Sequence, residues 1–134
     1  MKISDLMYTL AEVKPQHRNK TEFDFRGLTV YHITSAANID SIREKGLQAR
    51  SSRQSYDRPN AVYFFVDKDE VNKDNANILG AENCKILKVT IPVDAVINKM
   101  VWDGLYNVSF GTYSAVQFLD NVPAEWIVDY SMEG

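Results

Sequence analysis

The stretch LTVYHITSAANIDSIREKGL, residues 28–47, joins a strand pattern directly to a helix pattern. Its first part, Leu28 to Ile33, is rich in β-branched and aromatic side chains and predicts a buried strand. Ser35 can cap the helix that follows, which carries apolar residues on one face, and Gly46 is well placed to end it. We therefore expect a central strand that turns at once into a short helix.

The remaining segments predict more strands than well-formed helices. Because no regular alternation of strands and helices appears, we expect a single-domain α+β fold with a mixed or antiparallel sheet and flanking helices. The expected elements are a helix at 3–13, a loop or edge strand near Phe23 and Phe25, strands at 61–66 and 86–92, a short helix within 67–80, a helical turn at 93–100, an aromatic-rich connection at 101–111, and strands at 112–119 and 126–130.

The length and composition predict an ordinary globular protein. We expect one domain over residues 1–134, with an N-terminal helix and connection at 1–27 and a core at 28–130. No apolar run approaches the ~20 residues that cross a bilayer, so we predict a cytoplasmic protein without a membrane partner. The single cysteine, Cys84, and the widely separated His17 and His32 lack metal-ligand spacing, so no metal is expected.

Two local features predict a ligand site. His32 and Thr34 alternate onto one face at the end of the first strand, where a helix start leaves backbone N–H groups unpaired; such a corner can hydrogen-bond an amide or a ribose. The net charge is −3, yet Arg50, Arg53 and Arg58 lie close together in sequence. They either bind a phosphate-bearing ligand or are solvated side chains on a loop.

Several motifs resemble those of one family. The order of the pieces is similar to that of the small ADP-ribosyltransferase fold, particularly the DarT-like nucleic-acid ADP-ribosyltransferases, from about Leu28 to Ile127. The matching segments are Tyr31-His32-Ile33-Thr34 with Y-H-x-T, Asn38 to Leu47 with N-L-x-x-I-x-x-x-G-L, Val62-Tyr63-Phe64-Phe65 with the second-motif strand, and Val122 to Ile127 with V-P-P-E-Y-I.

The resemblance implies a split sheet and an NAD-dependent mono-ADP-ribosyltransferase of the glycosyltransferase class, acting as a toxin or phage-defence effector. It implies NAD as substrate, a single-stranded DNA or RNA acceptor and an antitoxin protein as partners. His32 and Thr34 would hold the nicotinamide ribose and amide, and an aromatic side chain at Tyr63 would stack on the nicotinamide ring. Asn38 and Arg50 are further expected NAD-binding residues, and Arg53 is the expected catalytic arginine.

Position 115 departs from this pattern. The family places a catalytic glutamate eight residues before the closing proline, and counting back from Pro123 reaches Ala115. Three accounts are open: an inactivated enzyme, a natural pseudoenzyme that binds NAD or an ADP-ribosylated product, or a shortened loop that places Gln117 where the acid normally stands. The sequence favours the first, because a single change restores the family pattern. Ala115 and Gln117 alternate onto one face, which we expect to be the pocket face.

Two other functions are kept as alternatives. The fold can serve a non-catalytic NAD-binding, ADP-ribose-binding or interaction protein. RNA 2′-phosphotransferases share the Y-H-x-T strand and the I-x-x-x-G-L helix and need no glutamate. Those enzymes carry a further N-terminal domain, however, which residues 1–27 are too short to hold.

Overall fold

A single sheet organises the fold of the described residues. The structure is a computed structural model, and it describes residues 21–50, 60–71, 84–103, 107–108 and 114–132. The sheet has seven strands. Every described strand pair is antiparallel. The expected helix at 3–13 and Arg53 lie outside the described residues.

The elements follow the expected order. The strands are β1 (Glu22–Asp24), β2 (Gly27–Ser35), β3 (Val62–Phe65), β4 (Cys84–Ile91), β5 (Met100–Trp102), β6 (Ala115–Phe118) and β7 (Ile127–Met132). Their order in the sheet is β5-β6-β3-β2-β4-β7, and β1 pairs with the edge of β2 opposite β4. The α-helices are α1 (Ile39–Lys45) and α2 (Val93–Lys99), and short 3₁₀ turns occupy Ala36–Asn38 and Ala124–Trp126. The α+β prediction is confirmed in this coarse form, with a mostly antiparallel sheet and few helices.

The central strand β2 is paired very unequally on its two edges. Along one edge it pairs with β4 without interruption, from Leu28↔Ile91 to Ser35↔Cys84. On the other edge it meets β3 at one pair only, Tyr31↔Phe65. The sheet is therefore nearly split between β2 and β3, and the split opens towards the C-terminal end of β2.

Apolar side chains cover both faces of the sheet. The larger cluster packs β2, β3 and β6 against α1, α2 and the closing segment, and contains Val30, Ile42, Phe64, Phe118 and Ile127 among others. A smaller cluster on the opposite face consists of Tyr31, Phe65, Val71, Ile86 and Ala115. Because successive strand residues point to opposite faces, cluster membership shows which face each strand residue occupies.

The turn from β2 into α1 forms as the sequence indicates. The Ser35 hydroxyl accepts a hydrogen bond from the Ala37 N–H at 3.3 Å, and the first helical turn is 3₁₀ before α1 begins. Gly46 ends the helix with a positive φ of 74° and donates its N–H to the Ile42 carbonyl at 2.8 Å. Immediately afterwards Leu47 and Val122 exchange two backbone hydrogen bonds of 2.8 Å. Two segments that carry the family resemblance are thus joined directly.

One element was missed by the sequence reasoning. The aromatic-rich stretch after residue 100 was expected to be a connection, yet Met100–Trp102 forms β5 and pairs with β6. A strand of three residues is too short to show alternation, so its pairing with β6 is what makes it a strand.

No helix in the described part of the chain is long and apolar enough to cross a membrane.

Candidate functional site

A cavity of about 820 Å³ lies at the open end of the split between β2 and β3. It is bounded by the end of β2, one face of α1 and the start of β3. The lining residues are His32, Thr34, Asn38, Ser41, Ile42, Lys45, Gly46, Leu47, Gln48, Arg50, Ala61, Val62 and Tyr63. All the residues that the resemblance assigns to NAD, which are His32, Thr34, Asn38, Arg50 and Tyr63, are among them.

His32 bridges the split. Its Nδ1 lies 2.7 Å from the carbonyl oxygen of Tyr63, and its ring packs edge-on against Phe64 with centroids 5.6 Å apart. Because a carbonyl oxygen can only accept, Nδ1 carries the proton, and in the neutral ring Nε2 is left as an acceptor. Burial of the ring lowers the pKa of His32, against the smaller opposite effect of the hydrogen bond to Tyr63. The site therefore presents a neutral imidazole acceptor.

We expect stability to fall as the pH drops from about 7.5 to about 5.5, in part through His32. Its folded pKa is lowered below the ordinary 6.5, so the unfolded chain binds more protons in this window. This contribution is fully present above the unfolded pKa and is lost as the pH falls towards the folded one. Urea unfolding of the parent and of His32→Gln at both pH values measures it. Equal pH dependence in the two proteins would contradict the expectation.

Thr34 and Asn38 form a second polar corner beside His32. The Asn38 Nδ2 donates to the Thr34 hydroxyl oxygen at 3.3 Å, and Thr34 is buried. This hydrogen bond connects the end of β2 to the residue before α1, so the Thr34 hydroxyl has a defined position at the cavity wall. The Thr34 O–H keeps its proton for a further partner, since the bond from Asn38 uses only an oxygen lone pair.

The cavity-facing side of α1 was only partly anticipated. Asn38, Ser41, Ile42 and Lys45 follow the i, i+3, i+4, i+7 spacing of one helix face, and all of them line the cavity. Sequence reasoning named Asn38 and missed Ser41, Lys45 and Gln48. The helical spacing from Asn38 could have found Ser41 and Lys45, whereas Gln48 lies beyond the helix end.

The charged residues of the lining are all cationic. Lys45 and Arg50 line the cavity, and no Asp or Glu is among its described lining residues. Arg50 is held at the rim by two backbone hydrogen bonds with Ala61, of 3.0 and 3.1 Å. Two cations facing one cavity without a carboxylate favour an anionic ligand such as a phosphate ester. Arg53, the expected catalytic arginine, lies outside the described residues.

Ala115 and Gln117 do not line this cavity. They share a face, as predicted, but on β6 it is Val116 and Phe118 that belong to the larger cluster on the cavity side. Ala115 is 3% exposed and packs in the smaller cluster. Contact of this face with a bound ligand stays a prediction, because Tyr63, which alternates with Phe65 of the smaller cluster, does line the cavity. Alternation defines which residues share a face, but only the register of β6 on β3 decides which face that is.

Ala115 nevertheless lies at the base of the split. It pairs with Phe65, and Phe65 pairs with Tyr31, which precedes His32 in β2. Adjacent strands are ~4.8 Å apart, so the backbone of residue 115 is about 10 Å from that of Tyr31. Gln117 is buried and pairs with Tyr63, one of the cavity residues. The catalytic role expected at position 115 stays a prediction.

Comparisons with known proteins define only the fold. The chain is similar to the solved structure named EcPltA, with a TM-score of 0.50 and 11% sequence identity over 75% of this chain and 72% of that chain. No family model and no curated protein matches the sequence. At this identity the likeness concerns the fold alone.

The described residues contain no group of three or more His, Cys, Asp or Glu side chains that could hold a metal ion. The polar groups around the cavity are hydroxyls, amides, an imidazole and two cations. These groups suit hydrogen bonding and charge pairing with an organic phosphate.

Proposed function

We propose that the cavity binds NAD and that the chain has the fold of an ADP-ribosyltransferase with alanine at the catalytic glutamate position. With an acid at residue 115 it would transfer ADP-ribose to a nucleic acid. One observation carries the proposal: residues assigned to NAD from separate parts of the sequence line a single cavity, namely His32, Thr34, Asn38, Arg50 and Tyr63. Arg50 and Tyr63 are distant in sequence from the other three residues, so it is the fold that brings all five to one cavity.

The fold also supports the proposal. A split sheet is what the resemblance implies, and β2 and β3 are joined by the single pair Tyr31↔Phe65. The cavity occupies the resulting gap, where unpaired strand edges and the start of a helix offer hydrogen-bonding groups.

The lining groups have distinct roles in this proposal. The neutral His32 ring offers Nε2 as an acceptor for a ribose hydroxyl, and the Thr34 O–H donates to an amide or ribose oxygen. Lys45 and Arg50 neutralise the pyrophosphate, which carries the negative charge of NAD. These contacts hold NAD in one orientation. Fixing the orientation of one reactant towards the other is a large part of how a protein accelerates a reaction between two molecules.

In the transfer step the bond between ribose C1′ and the nicotinamide nitrogen breaks, and nicotinamide leaves with the bonding electron pair. An acceptor nucleophile forms the new bond to C1′ and loses its proton to a base. A carboxylate at position 115 would orient the ribose 2′-hydroxyl or accept this proton. Alanine can do neither, so the present chain is expected to bind NAD without transferring ADP-ribose.

The same residue favours a second candidate, a natural NAD-binding or ADP-ribose-binding protein without transferase activity. Ala115 is 3% exposed and belongs to one buried apolar cluster with Tyr31, Phe65, Val71 and Ile86. A methyl group fits this cluster without a desolvated charge. The acceptor class, the antitoxin and the toxin role follow from the resemblance and belong to the first candidate only.

Calorimetric titration with NAD tests the cavity. The parent chain is expected to bind NAD, and Arg50→Ala to bind it about 10-fold more weakly, because one charge-assisted contact is lost. Lys99→Ala is the matched control: it removes a cation that pairs with Asp120 and does not line the cavity. Absence of binding by the parent, or equal loss in both variants, would overturn the assignment of this cavity to NAD.

A further inference from the structure

The backbone of residue 115 is held by a side chain. The Ala115 N–H donates to the Asn107 Oδ1 at 3.0 Å, and the Asn107 Nδ2 donates to the Ala115 carbonyl at 3.1 Å. Both backbone polar groups of Ala115 are thus bound by one carboxamide, which has the same donor and acceptor groups as a peptide unit. The Asn107 side chain therefore makes the two hydrogen bonds that the backbone of a neighbouring strand would make.

A second contact reinforces this arrangement. The Asp103 N–H donates to the Ala115 carbonyl at 3.0 Å, and the Asn107 N–H donates to the Asp103 carbonyl at 3.0 Å. Strand β5 pairs with β6 only from Met100↔Phe118 to Trp102↔Val116. Asp103 and Asn107 therefore extend the β5–β6 pairing by one residue, to the first position of β6.

This extension determines the direction of the side chain at residue 115. On the other edge of β6, Ala115 pairs with Phe65 and the Ser114 carbonyl accepts from the Val66 N–H at 2.9 Å. With both edges bonded, the backbone dihedral angles at residue 115 are constrained, and so is its Cα–Cβ bond. An end residue of a strand without these bonds would fray.

We propose that Asn107 is a positioning residue for the transfer reaction, orienting the side chain at position 115 at the base of the split. The inference rests on the proposed function for its catalytic consequence. Its structural part concerns only the hydrogen bonds at residue 115. The two parts have separate measurements.

Hydrogen exchange measures the structural part in the chain with Ala115. In Asn107→Ala the amide of residue 115 should exchange at least about 10-fold faster, while the amides of Val116 and Phe118 keep their rates. Asn98→Ala is the matched control, because the Asn98 Nδ2 also donates to a backbone carbonyl, that of Asp94 at 2.8 Å. Unchanged exchange at residue 115 in Asn107→Ala would overturn the inference.

Kinetics measure the catalytic part in the Ala115→Glu chain. Adding Asn107→Ala should lower kcat by about 100-fold, because a displacement of about 1 Å costs this much, while the affinity for NAD stays the same. Asn107→Asp keeps the volume and the Oδ1 acceptor but places an oxygen against the residue 115 carbonyl, so a similar loss is expected from a folded protein.

The outcomes separate the two proposals. If the Ala115→Glu chain transfers ADP-ribose and both Asn107 variants match it in kcat, the positioning role is overturned and the proposed function stands. If the Ala115→Glu chain binds NAD without any transfer, the proposed function fails and the positioning role fails with it. A parallel fall in kcat and NAD affinity would also count against positioning, because general loosening of the fold would explain it.

Discussion

Ala115→Glu is expected to raise NAD-dependent transfer by about 10²–10⁴-fold over the parent chain, the usual contribution of one acid–base group. Residue 115 is the first residue of β6 and lies at the base of the split. It pairs with Phe65, which forms the single pair between β3 and β2 with Tyr31. A glutamate side chain is longer than the Ala115 methyl group, and the proposal requires its carboxylate to reach the separating strands. The predicted gain is large because the parent has no carboxylate at this position.

The new carboxylate enters a cluster in which the Tyr31 hydroxyl already donates its one proton to Glu22. Tyr31 packs with Ala115, and its hydroxyl donates to the Glu22 carboxylate at 3.3 Å. Burial, together with the charges of Glu22 and Asp67, raises the pKa of Tyr31 to about 12, so the phenol stays protonated at neutral pH. We therefore expect Ala115→Glu to lower the free energy of unfolding by roughly 1–3 kcal/mol, because a charge enters a buried cluster.

The assay uses labelled NAD with DNA, RNA and the protein itself as acceptors. Incorporation of label identifies the acceptor, and toxicity on expression is a parallel measure. Ala115→Gln is the matched control, since it has the same length and no acid. Gln117→Glu tests the shortened-loop account: transfer by this variant alone would move the catalytic position to residue 117. A folded Ala115→Glu chain that binds NAD but gives no label in any acceptor would contradict the transferase proposal.

Gly46→Ala is expected to destabilise the fold by about 3 kcal/mol. Gly46 has a φ of 74° and a ψ of −166°, a region that is essentially restricted to glycine. A Cβ at this position would lie 2.1 Å from the Val122 carbonyl oxygen and 3.2 Å from the Pro123 carbonyl carbon. Both neighbours are backbone atoms, so no side chain can move aside. The connection between α1 and the closing segment would have to shift.

The shift would also alter the cavity. Gly46 and Leu47 line it, and the backbone hydrogen bonds between Leu47 and Val122 follow directly. Urea unfolding measures the stability change, and NAD titration of the folded fraction measures the effect on the site. Glu44→Ala changes an exposed side chain of the same helix and should stay within about 0.5 kcal/mol of the parent. A Gly46→Ala protein as stable as this control would contradict the steric argument.

Much of the fold and several site residues could be predicted because their signals are local. The β-branched run after Leu28 indicated β2, and Ser35 and Gly46 indicated where the helical segment begins and ends. The alternation of His32 and Thr34 placed both on one face, and both line the cavity. These patterns depend on backbone geometry within a few residues, which the sequence contains directly.

Other site features depend on residues that are far apart in the chain. Lys45 and Gln48 look like ordinary exposed polar residues in the sequence, and only the packing of α1 beside the split brings them to the cavity. Asn107 has no pattern that links it to residue 115. Its carboxamide becomes informative only when the fold places it beside the backbone of residue 115 at the start of β6.

The sequence by itself determined the local elements, their order and the alternation of side chains along each strand. Tertiary structure decided that β2 and β3 share one pair, that a cavity opens beside them, and that Ala115 faces the smaller cluster. The physical reason is that the period of a strand is set by its own backbone, whereas its register and neighbours are set by packing across the whole sheet. A shift of one residue between β3 and β6 would exchange the two faces.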